Sequence, residues 1–227
     1  EKLFVISGSL RRTANSLTVK GMLMSNKVAK IGIMGGTFDP VHYGHLVTAE
    51  GARCEFGLDQ VLFLPSGIPP HKTKKRVSSA EHRYMMTVLA TLSNPHFEVS
   101  RIDIDRKGIS YTIDTLQILR EQYGPKVELY FITGADAIFE IMSWKDSDQL
   151  LKIAHFIAAT RPGFSLEELP VTTQKWVDEH QDRFHVLKVP AMAISSTDIR
   201  DRVRYGHSIR YLVPELVDHY ILRHSLW

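Results

Sequence analysis

Residues 30–45 read K-I-G-I-M-G-G-T-F-D-P-V-H-Y-G-H, and this stretch gives the clearest indication of the fold class. The apolar run Lys30–Met34 is typical of a buried strand, and Gly35-Gly36 predicts a tight loop directly after it. Tyr43–Phe56 then has the composition of a helix that stops at Gly57. A buried strand, a glycine-rich loop and a helix in this order predict the beginning of a βαβ unit.

The same alternation continues along the rest of the chain. It predicts five further strands: Gln60–Leu64, Phe97–Ile104, Val127–Thr133, His155–Thr160 and Phe184–Val189. The helices between and after them are predicted at 79–93, 111–123, from Gly134 onward, 165–179, 195–204 and 214–223. This order predicts an α/β fold with a doubly wound, mainly parallel sheet, helices on both faces and a small helical C-terminal part. In such folds a ligand binds outside the carboxyl ends of the strands.

Length and composition limit the class of protein. A chain of 227 residues with 44% apolar side chains suits one large domain with its own core. The single cysteine, Cys54, excludes an internal disulfide framework and favours a cytoplasmic location. No stretch has the roughly 18 uninterrupted apolar residues of a membrane helix, so we expect no membrane association.

The first 27 residues differ in charge from the remainder, and we treat them as a leader. Through Lys30 the chain has six basic side chains and one acidic one, whereas the rest has 22 basic and 24 acidic ones. The basic character therefore belongs to the leader, and a nucleic-acid partner is not indicated. We expect 1–27 to be a disordered or artificially added segment, with initiation at Met22 or Met24, and 28–227 to be the domain.

Polar residues that suit a phosphate ligand follow the first strand. Gly35 and Gly36 allow close backbone approach, and Thr37 adds a hydroxyl group. His42 and His45 lie three residues apart at a helix N-terminus, where anions are favoured. Together they predict a cradle for a polyphosphate, although a zinc pair or a core histidine remains an alternative at these two positions.

Two motifs resemble the signatures of the nucleotidyltransferase superfamily with an H-x-G-H motif. The first is G-G-T-F-D-P-V-H-Y-G-H, and the second is I-S-S-T-D-I-R at 194–200. Within that superfamily the chain is similar to bacterial nicotinate mononucleotide adenylyltransferases over residues 28–224. Four shorter matches support this resemblance: P-P-H-K at 69–72, S-Y-T-I-D-T at 110–115, G-A-D at 134–136 with Trp144, and R-P-G at 161–163.

The resemblance implies a Rossmann-like fold and a transfer of the adenylyl group of ATP to nicotinate mononucleotide, assisted by Mg²⁺ held mainly through phosphates. It implies catalytic roles for His42, His45 and Arg200. It also implies that ATP contacts Gly35, Gly36, Thr37, Asp136, Arg161, Ser196 and Thr197. The mononucleotide would contact Lys72, Tyr111, Thr112 and Trp144.

Plainer roles stay open for several of these residues. Asp136 could only cap a helix, Trp144 could be a core residue, Lys72 could belong to a solvated loop, and Arg161 could cap a strand. Other functions also stay open: a phosphopantetheine adenylyltransferase, an enzyme that prefers nicotinamide mononucleotide, or a protein that only binds nucleotide or nucleic acid. The oligomeric state is open as well, a homo-oligomer included.

The charge contrast of the leader generates a first prediction. Deleting residues 1–23 should leave the rate of adenylyl transfer and the melting temperature nearly unchanged, because the predicted core and motifs all lie beyond them. Steady-state kinetics and thermal denaturation of the full and shortened chains measure both. A large fall in either quantity would mean that the leader packs on the domain or completes the site.

Overall fold

The computed structural model describes residues 29–69, 77–160, 169–190 and 192–227. The leader and its boundary with the domain lie outside these ranges. The described strands form one sheet in the order β3-β2-β1-β4-β5-β6, and every neighbouring pair is parallel. The strands are β1 (Lys30–Gly36), β2 (Gln60–Pro65), β3 (Phe97–Val99), β4 (Glu128–Gly134), β5 (His155–Thr160) and β6 (Phe184–Lys188). The predicted doubly wound sheet is thus confirmed.

Helices connect the strands and cover the sheet. They are α1 (Tyr43–Phe56), α2 (Ala80–Thr91), α3 (Ile102–Asp105), α4 (Thr112–Tyr123), α5 (Ala135–Phe139), α6 (Ser147–Ile153), α7 (Val171–Glu179), α8 (Ser196–Arg204) and α9 (Glu215–Arg223), with a 3₁₀ turn at Ile141–Ser143. Of the two serines at 78 and 79 that could cap this helix, Ser79 is the cap and accepts a hydrogen bond from the His82 N–H group. None of the helices in the described ranges combines the length and the apolar character needed to cross a membrane.

Alternate residues of each strand supply two separate cores, one on each face of the sheet. On one face Ile31 and Ile33 pack with the apolar side of α4, including Leu116. On the other face Met34 packs with residues of α1, α2, α8 and α9, including Ile199. The small C-terminal helical part is therefore an integral layer of the second core. Burial on both faces explains why the central strands read as nearly continuous apolar runs.

The strand order creates one crevice at the centre of the sheet. The chain leaves β1 toward β2 and β3 on one side, and later returns to place β4 on the other side of β1. The connections that follow β1 and β4 therefore diverge to opposite faces of the sheet. Such a switch point opens a space at the carboxyl ends of the two strands, which is the usual ligand position in this architecture.

The prediction of a strand over Phe97–Ile104 is wrong in its second half. The strand ends at Val99, whose partner is Phe63 of β2, and Ile102–Asp105 forms the short helix α3. The isoleucines at 102 and 104 alternate with aspartates and so imitate a strand. The helical turn buries the Asp103 carboxylate, which accepts hydrogen bonds from Arg106 and Thr115. That buried polar contact, which is invisible to periodicity, outweighs the local pattern.

The predicted helix over 165–179 is confirmed from Val171 onward, and Pro170 stands at its N-cap. Proline lacks an N–H group and fits the beginning of a helix better than its interior. Residues 161–168 lie outside the described ranges, so the first part of this prediction stays a prediction.

A buried arginine joins two loops at the carboxyl edge of the sheet. Arg83 of α2 is only 1% exposed. Its Nη1, Nη2 and Nε donate to the backbone oxygens of Thr37, Gly67 and Ser78 over 2.9–3.0 Å. Burial lowers the pKa of the Arg83 guanidinium, while the charge of Asp39 opposes that shift. One cation thus holds the loop after β1 and both ends of the connection between β2 and α2.

This arrangement predicts that Arg83→Met destabilises the fold strongly. The change leaves three backbone oxygens and the 2% exposed Asp39 without their buried cation, and such a loss costs about 3–5 kcal/mol. Urea denaturation measures the free energy of unfolding. Arg204→Met, which removes only an exposed pair with Asp201, is the matched control and should cost less than about 1 kcal/mol. Equal losses in the two variants would contradict the anchoring role of Arg83.

Candidate active site

Two cavities meet at the carboxyl ends of β1 and β4. The first has a volume of about 330 Å³ and the second about 280 Å³, and both are lined by Gly35 and Thr133. The first also contacts Met34 and opens on the face covered by α1 and α8, whereas the second contacts Phe131 on the opposite face. Gly35 has no side chain to separate them, so ligands in the two cavities can approach each other at this residue.

Two helix N-termini converge on the first cavity. His42 is the N-cap of α1 and Ser195 is the N-cap of α8, and both residues line the cavity. The Ser195 hydroxyl accepts a hydrogen bond from the Asp198 N–H group and so completes the cap of α8. Because each helix N-terminus carries a partial positive charge and directed N–H groups, this cavity attracts anions from two directions.

The two histidines have a fixed geometry at the start of α1. Their rings stack with centroids 3.7 Å apart, and Gly44 between them lacks a Cβ atom that would lie 3.0 Å from the His42 ring. The His42 backbone N–H group donates to His45 Nδ1 over 3.2 Å. A neutral His45 ring with Nδ1 as acceptor carries its proton on Nε2. His45 is thereby prepared to donate from Nε2.

The second sequence motif binds directly to the first one. The Ser196 hydroxyl donates to the Pro40 oxygen over 2.9 Å, and Arg200 Nη1 donates to the Asp39 oxygen over 2.7 Å. Arg200 Nη2 also donates to the Thr197 hydroxyl. These contacts join residues about 160 positions apart in the chain, and they hold the N-terminus of α8 beside that of α1.

The start of α4 and the Trp144 ring form the second cavity. Tyr111 is the N-cap of α4 and Thr112 its first residue, and both line the cavity. Trp144 packs edge-to-face on Phe131 with ring centroids 6.1 Å apart. Because the half-buried indole also lines the cavity, a flat ring could stack on it.

A network of paired charges surrounds this second cavity. Arg106 donates to Asp103 and Asp114 over 2.9 and 3.2 Å, and Lys145 Nζ donates to the other oxygen of Asp114 over 2.8 Å. The hydrogen bond to Asp114 raises the pKa of Lys145, so the ammonium group is charged at neutral pH. Thr115 adds a hydrogen bond of 2.6 Å to Asp103. The carboxylates near this cavity are thus each held by a cation.

The structure brings most of the sequence-predicted site residues together, although in two groups. The first cavity is lined by His42, His45, Ser196 and Gly35, and the second by Gly35, Gly36, Thr37, Tyr111, Thr112 and Trp144. Gly36 and Thr37, for which ATP contacts are predicted, therefore lie on the second cavity. Asp136 is exposed in the first turn of α5 and lines neither cavity. Lys72 and Arg161 lie outside the described residues.

Several polar residues of the site are absent from the sequence-based prediction. Ser66 follows β2 directly, is 9% exposed and lines the second cavity with an Oγ atom that has no hydrogen-bond partner. Thr133 lies near the end of β4 and borders both cavities. Both could be found by inspecting every strand end in turn. Lys145 and Arg83 carry no such signal, because each reads as an ordinary exposed cation.

The chain matches a known protein family and several curated relatives over most of its length. The cytidylyltransferase-like family model matches residues 33–202. A probable nicotinate-nucleotide adenylyltransferase of Moorella thermoacetica is 58% identical over 206 residues, covering 91% of this chain and 95% of its own. Its counterpart in Thermoanaerobacter sp. is 54% identical, covering 87% of this chain and 94% of its own.

A solved structure shares the fold at low identity. Plasmodium falciparum nicotinic acid mononucleotide adenylyltransferase complexed with NaAD superposes with a TM-score of 0.69 at 20% identity, over 87% of this chain and 97% of that one. At this level of identity the similarity concerns the fold alone. It agrees with the Rossmann-like arrangement seen in the sheet order.

Proposed function

The chain belongs to the nicotinate-nucleotide adenylyltransferases within the cytidylyltransferase-like family, and we propose that it joins nicotinate mononucleotide to the adenylyl group of ATP. The products are deamido-NAD, an intermediate of NAD synthesis, and pyrophosphate. The observation that carries this proposal is the meeting of two cavities at Gly35. One of them suits a polyphosphate, and the other offers an aromatic face beside a helix N-terminus.

We assign ATP to the first cavity. Its phosphates fit beside His42, His45 and Ser196, where the N-termini of α1 and α8 meet. Its adenine fits against the apolar rim, which consists of Ala159, Val189, Pro190, Met192 and Ile194. Contacts of Thr197 with phosphate, of Asp136 with ribose and of Arg161 with adenine remain part of the proposal through the family resemblance.

We assign the mononucleotide to the second cavity. The pyridine ring would stack on Trp144, while its carboxylate would meet the N–H groups at the start of α4 and the Thr112 hydroxyl. Ser66, Gly36 and Thr37 would lie along the remainder of this ligand. Lys72 belongs to the same proposal through its place in the P-P-H-K match.

The reaction needs positioning and charge neutralisation more than a protein nucleophile. A phosphate oxygen of the mononucleotide attacks the α-phosphorus of ATP, a new P–O bond forms, and the bond to the bridging oxygen of pyrophosphate breaks. Negative charge then grows on the leaving group. In this proposal His45 Nε2–H and the two helix N-termini would stabilise that charge, and the two ligands would meet near Gly35 for in-line attack. Arg200 lines neither cavity and donates to the Asp39 backbone oxygen and the Thr197 hydroxyl, so its catalytic role remains part of the proposal through the family resemblance.

Mg²⁺ is part of the proposal as a partner of the ATP phosphates. The described part of the chain has no cluster of three or more His, Cys, Asp or Glu side chains that could hold a metal. The first cavity offers hydroxyl, imidazole and backbone N–H groups, which suit phosphate oxygens. The ion would therefore be held through those oxygens and water, and it would supply further neutralisation of their charge.

The choice of the acid over the amide generates a prediction. A carboxylate needs only donors, whereas an amide also needs an acceptor for its NH₂ group. The start of α4 offers donors and a favourable dipole. We expect a preference of about 10²-fold or more in kcat/KM for nicotinate over nicotinamide mononucleotide. Thr112→Val should reduce this advantage and leave the KM for ATP unchanged. Equal rates with both substrates in the wild type would instead indicate a dual-specificity enzyme.

The geometry of His45 generates a second prediction. His45→Ala removes the Nε2 donor and should lower kcat by about 10²-fold or more, with a smaller change in KM for ATP. Steady-state measurement of pyrophosphate release gives both constants. Because the change also removes the acceptor of the His42 N–H group, the melting temperature serves as the control for folding. A folded variant whose kcat stays within about threefold of the wild type would exclude His45 from the mechanism.

A further inference from the structure

The proposed carboxylate position contains an electrostatic conflict. The first turn of α4 offers N–H groups to an incoming anion, but it also carries Asp114 as its third residue. An uncompensated carboxylate there would repel the substrate carboxylate and would favour a neutral amide. Acid preference at this helix therefore requires that the charge of Asp114 be neutralised.

Two cations hold Asp114 from opposite oxygens. Arg106 Nη1 donates to Oδ2 over 3.2 Å, and Lys145 Nζ donates to Oδ1 over 2.8 Å. Arg106 is also engaged by Asp103, which is buried, and by the oxygen of Ile109. It cannot turn to a ligand without taking its positive charge away from the buried Asp103 carboxylate. Lys145 is exposed, and Asp114 is its carboxylate partner among the described residues.

Lys145 lies beside the proposed pyridine site. It follows Trp144 directly in the chain and lines the second cavity together with Thr112. Its Nζ atom lies 5.1 Å from the centroid of the Tyr111 ring, which also lines that cavity. The ammonium group thus stands at the junction of the stacking ring, the start of α4 and the carboxylate of Asp114.

We propose that Lys145 is a specificity-determining residue that selects the acid over the amide form of the mononucleotide. The inference rests on the function proposed above and deepens it. Lys145 acts in two ways: it masks Asp114, and it offers its remaining N–H groups to the substrate carboxylate. An ammonium group has three donors and no acceptor, so it gains a charge-assisted bond with the acid and no comparable bond with the NH₂ group of an amide.

A purely structural role for Lys145 is a poor explanation of its position. Exposed ion pairs contribute little to the stability of a fold, and Lys145 is exposed. Replacement of Lys145 should therefore leave the melting temperature nearly unchanged. A change confined to substrate choice is the distinctive consequence of the proposal.

The test measures kcat/KM for nicotinate and nicotinamide mononucleotide at saturating ATP. Lys145→Met should lower the value for the acid by about tenfold or more and the value for the amide by less than about threefold, and Lys145→Gln should behave alike. Lys145→Arg, which keeps the charge, should hold the ratio within about threefold of the wild type. In the wild type the acid rate should also fall with added salt more steeply than in Lys145→Met, because a surface charge is screened.

A double variant separates the two actions of Lys145. Adding Asp114→Asn to Lys145→Met removes the unmasked carboxylate, and it should restore about threefold or more of the lost acid rate. Absence of any recovery would overturn the masking role.

The outcomes also distinguish this inference from the proposed function. A wild type that makes no dinucleotide from either substrate overturns both. If the wild type is active and prefers the acid, but Lys145→Met keeps the ratio of the acid to the amide kcat/KM, only the role of Lys145 is overturned. The same conclusion holds when both values fall by an equal factor, because the ratio is then unchanged.

Discussion

One buried guanidinium determines the shape of the carboxyl edge of this sheet. Arg83 binds backbone oxygens of two loops, at Thr37 after β1 and at both ends of the connection between β2 and α2. These bonds supply donors to three partly buried backbone oxygens. From the other side, Arg200 binds the Asp39 oxygen and Ser196 the Pro40 oxygen. The loop after β1 is thus held by α2 and by α8. This loop contributes His42 to the lining of the first cavity and Thr37 to that of the second.

This rigidity suits a reaction in which the substrates supply the reacting atoms. Direct transfer between two bound nucleotides gains most from fixed relative positions and from donors that need no reorganisation. Residues tied to the protein backbone provide both. His45 is oriented by the His42 N–H group, and Ser195 is committed to the cap of α8. For the proposed reaction, these hydrogen bonds would orient the groups that stabilise charge before the ligands bind.

The sequence predicts the layered architecture well and the details of the site unevenly. Buried strands such as Gln60–Pro65 and helix caps such as Ser79 have local signals, and the alternation of strands and helices predicts a parallel sheet. The order of the strands is seen only in the structure. The segment after Val99 lacks such a signal. Its alternating isoleucines imitate a strand, but the contacts of buried Asp103 with Arg106 and Thr115 stabilise a short helix instead. The roles of Arg83 and Lys145 have no local sequence signal either. Only the tertiary fold buries Arg83 and brings Lys145 beside a cavity.

The switch in strand order also gives the two cavities different electrostatic characters. The first lies where α1 and α8 begin, so two helix dipoles add there, and its lining among the described residues contains no carboxylate. The second includes Asp103 in its lining, with Asp114 behind it, and its cations are largely committed to these two groups. This difference supports the proposal that places the ligand with three phosphates in the first cavity and the one with a single phosphate and a flat ring in the second. Because both cavities share Gly35, the topology that gives them different charges would also bring the reacting phosphates of the proposed ligands together.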